Sequence, residues 1–201
     1  FGEDIIVDGA GRMIYLTKDS HETLWAYTSA GKVFRYDPIS DAFTLEIDIA
    51  KLTESGIFLN NLFIDSSDRF WFGQKNGLFR YDNTNRHTEN ILKKKCINSI
   101  HFSPSNEILY IATTQGLYAH NLQNGIVSTL LPDLYIQSVF YDSATHLLWI
   151  GTFNSGLKVK DTYTGEFLSN ESLNQLPHLP CRSIIAYDAH TLLLGVDGAG
   201  V

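Results

Sequence analysis

Apolar and polar positions recur along this chain in one motif. It runs apolar, aromatic, apolar, small residue, short polar turn, then Gly and another apolar residue. Leu148-Trp149-Ile150-Gly151-Thr152-Phe153-Asn154-Ser155-Gly156-Leu157 shows it in full. A second copy is Phe70-Trp71-Phe72-Gly73, with Gln74-Lys75-Asn76 as its turn and Gly77-Leu78 after it. A third is Leu109-Tyr110-Ile111-Ala112-Thr113, followed by Thr114-Gln115 and Gly116-Leu117. Leu24-Trp25-Ala26-Tyr27-Thr28 with Gly31-Lys32-Val33 is weaker, and Leu192-Leu193-Leu194-Gly195-Val196 leads into Asp197-Gly198-Ala199-Gly200-Val201. Measured from the central residue of each copy, the spacings are 46, 39, 39 and 44 residues.

Each motif predicts a strand, and its flanks predict more. In repeat one, Ile14-Tyr15-Leu16 precedes the motif, and Val33-Phe34-Arg35-Tyr36-Asp37 follows it with the period-2 alternation of a half-buried strand. Pro38 to Asp41 then turns the chain into an outer strand over Phe43 to Ile47. Repeat two follows the same order, and Leu78-Phe79-Arg80-Tyr81-Asp82 matches Val33 to Asp37 almost residue for residue. No segment carries a helical stripe of useful length, although Ile49 to Ser55 suits one helical turn. Repeats of 40–45 residues with four strands each read as β-propeller blades, whereas helical repeats need two amphipathic stripes per unit. The expected fold is therefore all-β, with blades over about 13–50, 59–93, 96–132, 135–170 and an incomplete 181–201. Trp25, Trp71 and Trp149 are expected in equivalent surroundings between blades. The acids ending most inner strands, Asp19, Asp65, Asp142 and Asp188, are expected to accept turn N–H groups.

Four and a half blades do not make a standard ring. A ring of seven such units needs about 295 residues. The 201 residues thus read as a partial propeller within a longer polypeptide, in which the apolar ends of an open arc are covered by further blades or by self-association. The first dozen residues, including Ile5-Ile6-Val7, resist placement. The chain begins at Phe1, which suits either a processed export product or a cut fragment.

Net charge is −7, which makes a nucleic-acid backbone an unsuitable partner. Lys93-Lys94-Lys95 reads as a charged outer edge that discourages strand pairing. No apolar run approaches the ~20 residues of a membrane span, so direct membrane contact is not expected of this segment. Cys96 and Cys181, the same position two repeats apart, are expected as free thiols.

An inner strand ending in Asp, then Leu-Trp-Ile-Gly-Thr, a turn, Gly-Leu and Arg-Tyr-Asp resembles the two-component regulator propeller repeat. Asp65 to Asp82 and Asp142 to Asp161 carry the resemblance best. Repeats one, three and five are looser, with Tyr110 and Ser103 replacing Trp and Asp in repeat three and Leu193 replacing the aromatic in repeat five. Such repeats form periplasmic sensor regions of hybrid two-component systems, typical of gut Bacteroidetes, and many respond to polysaccharide fragments. The resemblance implies a periplasmic segment that senses oligosaccharides and signals to a histidine kinase absent from this chain.

Catalytic signals are weak. The sequence has no Gly-x-Ser-x-Gly elbow, P-loop or dinucleotide fingerprint, and its seven His stand apart from one another and from Cys. No catalytic residue, metal ligand or cofactor is assigned. Asn170-Glu171-Ser172 matches a glycosylation sequon, as chance allows at this length. Binding is the better reading. A polar residue opens each inner strand: Asn60, Asn98, Gln137 and Ser183, with Arg182 beside the last. These suit sugar hydroxyls, as amides both donate and accept; satisfying backbone groups and channel waters is the bland alternative. Lys75, Asn76, Gln115, Phe153 and Asn154 occupy turns on the same face, Tyr135 and Phe153 are placed to stack on a sugar ring, and Phe58 suits packing. The alternatives are a propeller lyase or hydrolase, for which His101 with Asp133 is the pair to examine, and a protein-interaction scaffold.

Overall fold

The computed structural model describes residues 14–53, 61–169, 173, 178–198 and 200. Ile5 to Val7, Phe58, Asn60 and the sequon at 170–172 lie outside the described residues. The chain divides into two compact units, Phe1–Cys96 and Ile97–Val201.

In the first unit, β1 (Ile14–Lys18), β2 (Leu24–Thr28), β3 (Lys32–Asp37) and β4 (Ala42–Asp48) form an antiparallel sheet in sequence order. A single 3-10 turn, Ile49–Lys51, follows where the sequence suggests one. The second sheet is β5 (Asn61–Ile64), β6 (Arg69–Gln74), β7 (Gly77–Asp82) and β8 (His87–Lys93). In the second unit, β9 (Ile97–Ser103), β10 (Ile108–Thr113), β11 (Gly116–Asn121) and β12 (Val127–Pro132) form the third sheet. The fourth contains β13 (Ile136–Asp142), β14 (Leu147–Thr152), β15 (Leu157–Asp161) and the short β16 (Phe167–Leu168). The fifth pairs β17 (Cys181–Ala186) with β18 (Leu192–Val196). An isolated bridge between Val196 and Gly200 repeats the Thr152–Gly156 backbone bond that precedes β15. The fold is thus all-β, built of repeated four-stranded antiparallel sheets. Cys96 and Cys181 are free thiols.

The clean alternation read in Val33 to Asp37 does not survive: β3 buries Val33 and Phe34 side by side. In β6, Phe70, Trp71 and Phe72 are all buried. Both faces of these strands are covered, so apolar residues fill both. Trp25, Ile47, Leu62, Phe70 and Phe79 belong to the core of the first unit, and Tyr110, Ile136, Tyr141, Leu148 and Ile150 to that of the second. Trp25 meets Phe70 edge-on at 5.2 Å, joining sheets one and two.

The acids of the first turns do more than cap. Asp19 Oδ1 accepts from the backbone N–H of His21 and Thr23, and Oδ2 accepts from Trp25 Nε1 at 2.9 Å. Asp65 repeats this with Ser67, Arg69 and Trp71, the last at 2.8 Å. Each acid lies six residues before its tryptophan. Asp142 lies seven before Trp149, because this turn is one residue longer. Its carboxylate accepts from Ala144 N–H and the Thr145 hydroxyl, and Trp149 Nε1 is buried with no partner among the described residues. The expectation of three equivalent tryptophans therefore fails at Trp149. Asp188 accepts from His190 N–H, as an Asx turn does. The turns after the third strands obey one rule: Asp37, Asp82, Asn121 and Asp161 each accept from the N–H two residues on.

Close approach explains the small residue of the motif. A Cβ on Gly151 would stand 2.5 Å from the Cys181 carbonyl oxygen and closer still to Ser138 Oγ. Ser138 Oγ donates to that carbonyl at 2.9 Å, tying sheet four to sheet five. Gly116, at φ +137°, would bring a Cβ to 2.6 Å from the Leu131 carbonyl oxygen.

Two outcomes follow in urea denaturation. Gly151→Ala loses about 1–3 kcal/mol through overpacking. Asp65→Ala loses about 2–4 kcal/mol, since it strands the buried Trp71 N–H and two turn amides. A pH series tests Asp19. Burial pushes its carboxyl up, but the bonds from Trp25, Thr23 and His21 outweigh this and leave it below the ordinary 3.8. A depressed folded value gives stability that is present above the unfolded value and lost as pH falls through the folded one. Asp19→Asn is expected to flatten that acid limb.

Candidate functional site

One end of each sheet carries the start of the inner strand and the turn between the second and third strands. At this end of the second unit the inner strands are irregular. Thr113 pairs with Ile97 while Ala112 pairs with Ser99, so Asn98 is an extra, bulged residue. Gln137 is bulged in the same way between Ile136 and Ser138, and Arg182 between Cys181 and Ser183. A bulge unpairs one residue and re-aims its side chain. Buried Ile97, Ile136 and Cys181 anchor each bulge on one side. The sequence motif places Ser183 with Asn98 and Gln137; the structure puts Arg182 there instead, and Ser183 with Ser99 and Ser138.

The bulged side chains have different fates. Asn98 Nδ2 donates to the Ile136 carbonyl at 2.7 Å, tying sheet three to sheet four. Asn98 is therefore at least partly a structural clasp. Gln137 is half-buried. Arg182 reaches Asp197, with Nε at 2.7 Å from both carboxylate oxygens and a guanidinium nitrogen at 2.6 Å from Oδ2. This pair holds Asp197 below the usual carboxylate range and raises Arg182, chiefly through the Asp197 bond and in small part through the nearby Tyr135.

Beside the pair lies an aromatic step. Tyr135 and Phe153 stack with centroids 4.8 Å apart and planes 17° off parallel. Phe153 N–H donates to the Tyr135 carbonyl at 2.9 Å, which locks the turn of sheet four onto the start of β13. Phe153 remains 40% exposed. Asn154 is exposed at the same turn and accepts from the Ser155 hydroxyl at 3.3 Å. Tyr135, Phe153, Asn154, Gln137, Arg182 and Asp197 thus occupy one end of sheets four and five. Planar aromatic surface next to a charged, hydrogen-bonding pair suits a ligand with one apolar face and polar edges.

Asp197 is absent from the sequence-based set. It follows Val196 as Phe153 follows Thr152, and its N–H donates to the Pro180 carbonyl at 3.0 Å, the counterpart of the Phe153–Tyr135 bond. That offset was the available signal. Gln115 occupies the same kind of turn in sheet three, its N–H bonded to Thr113 Oγ1. Lys75 and Asn76 take that turn in the first unit.

His101 does not form the catalytic pair considered for it. It lies mid-strand opposite Tyr110, with its ring edge-on to Phe140 at 4.9 Å. Burial pushes its imidazole pKa down, against a backbone bond at Tyr141 that raises it. Asp133 follows Pro132, which pairs with Gly116 at the strand end. His101 is four residues further along β9 from that end, about 13 Å at strand rise. Among the described residues, no group of three or more His, Cys, Asp or Glu is placed to hold a metal.

The chain matches no protein-family model and no curated protein sequence. Solved structures resemble it in fold. The extracellular domain of the hybrid two component system BT4673 from B. thetaiotaomicron has a TM-score of 0.69 and 21% identity over 87% of this chain and 25% of its own. That of BT3049 from the same organism has a TM-score of 0.73 and 18% identity over 92% of this chain and 26% of its own. PorZ, a surface component of the type-IX secretion system of Porphyromonas gingivalis, has a TM-score of 0.69 and 13% identity over 92% and 31%. This chain thus spans about a quarter to a third of the length of these proteins.

The roles of the bulged residues separate in thermal melts. Asn98→Ala is expected to cost about 1 kcal/mol, because it removes the clasp between sheets. Arg182→Ala and Asp197→Ala are expected to leave the melting temperature unchanged, as exposed ion pairs contribute little.

Proposed function

We propose that this chain is the ligand-sensing part of an extracytoplasmic, periplasmic receptor of the two-component type, and that it detects oligosaccharides at the end of the sheets bearing Tyr135 and Phe153. The observation that carries this is the rigidly held, exposed aromatic step beside the Arg182–Asp197 pair. Sugar rings present an apolar C–H face and polar rims, which match stacked rings flanked by charged hydrogen-bonding groups. Asn98, Gln137 and Asn154 add amide donors and acceptors at the same end, and Asn60 holds the corresponding place in the sequence of repeat two.

The fold likeness to the extracellular domains of BT4673 and BT3049 supports a sensor rather than an enzyme. The same comparison supports reading the five sheets as blades of a larger ring, seven being the number the repeat length favours. A signal to a histidine kinase then leaves through parts of the receptor outside this chain. A protein-binding scaffold is a second reading, favoured by the likeness to PorZ, a surface component of a secretion system.

Calorimetric titration with a panel of plant and host oligosaccharides tests the proposal. One of them is expected to bind, and Phe153→Ala is expected to weaken it by ~1–3 kcal/mol, the magnitude of a lost stacking partner at a buried contact. A panel without heat of binding, or a Phe153→Ala variant that binds unchanged, removes the sugar-sensing role from this end.

A further inference from the structure

The opposite ends of sheets four and five enclose a cleft of about 490 Å³ between their first-to-second strand turns. Phe140 and Trp149 form its aromatic wall, and Asp142, Thr145, Asp188 and His190 its rim. No lysine or arginine lines it. A smaller cleft, about 270 Å³, occupies the same position between sheets one and two, lined by Asp19, Trp25, Arg35, Asp68 and Phe70. The two make an internal comparison.

In the first unit each tryptophan is completed by two neighbours. The acid six residues upstream accepts its N–H, as Asp19 does for Trp25 and Asp65 for Trp71. An arginine faces it across the next strand: Arg35 pairs with Trp25, and the Arg80 guanidinium sits 5.7 Å from the Trp71 ring centre. Trp149 has lost both. The longer turn carries Asp142 out of reach, and the residue across the strand is Val159. The space opens further because Leu192 stands where sheet two has Phe70, the ring that packs against Trp25. What remains, among the described residues, is an aromatic wall without an arginine, a buried indole N–H without its acceptor, and a rim of two carboxylates with His190 beside them and no lysine or arginine.

We propose that this cleft binds a hydroxylated primary ammonium, an amino sugar being the simplest case. The ammonium lies against the aromatic wall, between it and the Asp142 and Asp188 carboxylates. Ligand hydroxyls donate to the carboxylate lone pairs of the rim that the turn bonds leave open. Hydrogen bonds from Thr145 and Ala144 hold Asp142 below the usual carboxylate range, and those from His190 and Thr191 do so for Asp188, so both rims are charged at neutral pH. The volume suits one or two sugar rings. This site is separate from the aromatic step at the other end of the sheets and stands or falls independently of it.

The test is a titration followed in ¹H–¹⁵N spectra of the 201-residue chain. The probes are glucosamine and its β-1,4-linked dimer, with glucose and cellobiose as uncharged counterparts. The indole resonance of Trp149 is expected to shift saturably with the amines, while those of Trp25 and Trp71 stay in place. Asp142→Asn with Asp188→Asn is expected to weaken binding by roughly tenfold. Leu192→Phe, which restores the aromatic found in the first unit at a residue lining the cleft, is expected to abolish the shift while the spectrum stays dispersed. Phe153→Ala is expected to leave the shift intact. A Trp149 resonance that never responds to the amines, that responds equally to glucose and cellobiose, or that still responds in Leu192→Phe overturns the proposal.

Discussion

The middle strands of these sheets are buried on both faces, and most of the structure answers to that constraint. A strand such as β6, with Phe70, Trp71 and Phe72 all covered, has no solvent side. A sheet built on such strands packs against its neighbours, and those neighbours must come close. Gly151 is small because the Cys181 backbone and Ser138 fill the space above it. The polar groups trapped at such joints have to be satisfied there, since water is excluded. Asn98 and Ser138 do this across neighbouring sheets, and Asp19 and Asp65 do it for the indoles beside them. Apolar pressure sets the stacking, and a few directed bonds set how each sheet meets the next.

Much of this architecture could be read from the chain. Ile108–Thr113, Leu147–Thr152 and Leu192–Val196 stand where the motif places them, because an aromatic flanked by apolar residues and closed by a turn has few other folded solutions. Turn bonding was legible where an acid ends an inner strand, at Asp19, Asp65, Asp142 and Asp188; the matching bonds after the third strands were not read in advance. What escaped is what a one-residue change of register controls. The bulges at Asn98, Gln137 and Arg182 leave no mark in composition, so Ser183 took the place that belongs to Arg182. The added residue before Trp149 looks trivial as a loop, yet it moves a carboxylate off an indole. Asp197 was passed over because its chemistry differs from that of Phe153, its positional twin.

The aromatic step was legible in part. Tyr135 and Phe153 were chosen as rings at a strand end and a turn, and the structure stacks them on each other. That contact depends on the backbone bond between the same two residues, which no pattern of side chains announces. Asn98 has a role that its position did not announce: its Nδ2 donates to the Ile136 carbonyl of the neighbouring sheet.

A bulged residue answers to no partner across the ladder. At that place in β9, β13 and β17 the pairing rules that discipline the rest of the sheet are suspended, and the neighbours on either side keep the frame. An amide, another amide and a guanidinium occupy three such places here with the same strands around them. The second unit therefore carries three positions along one rim whose side chains the ladder does not dictate, and a single sheet can vary there without a change of scaffold.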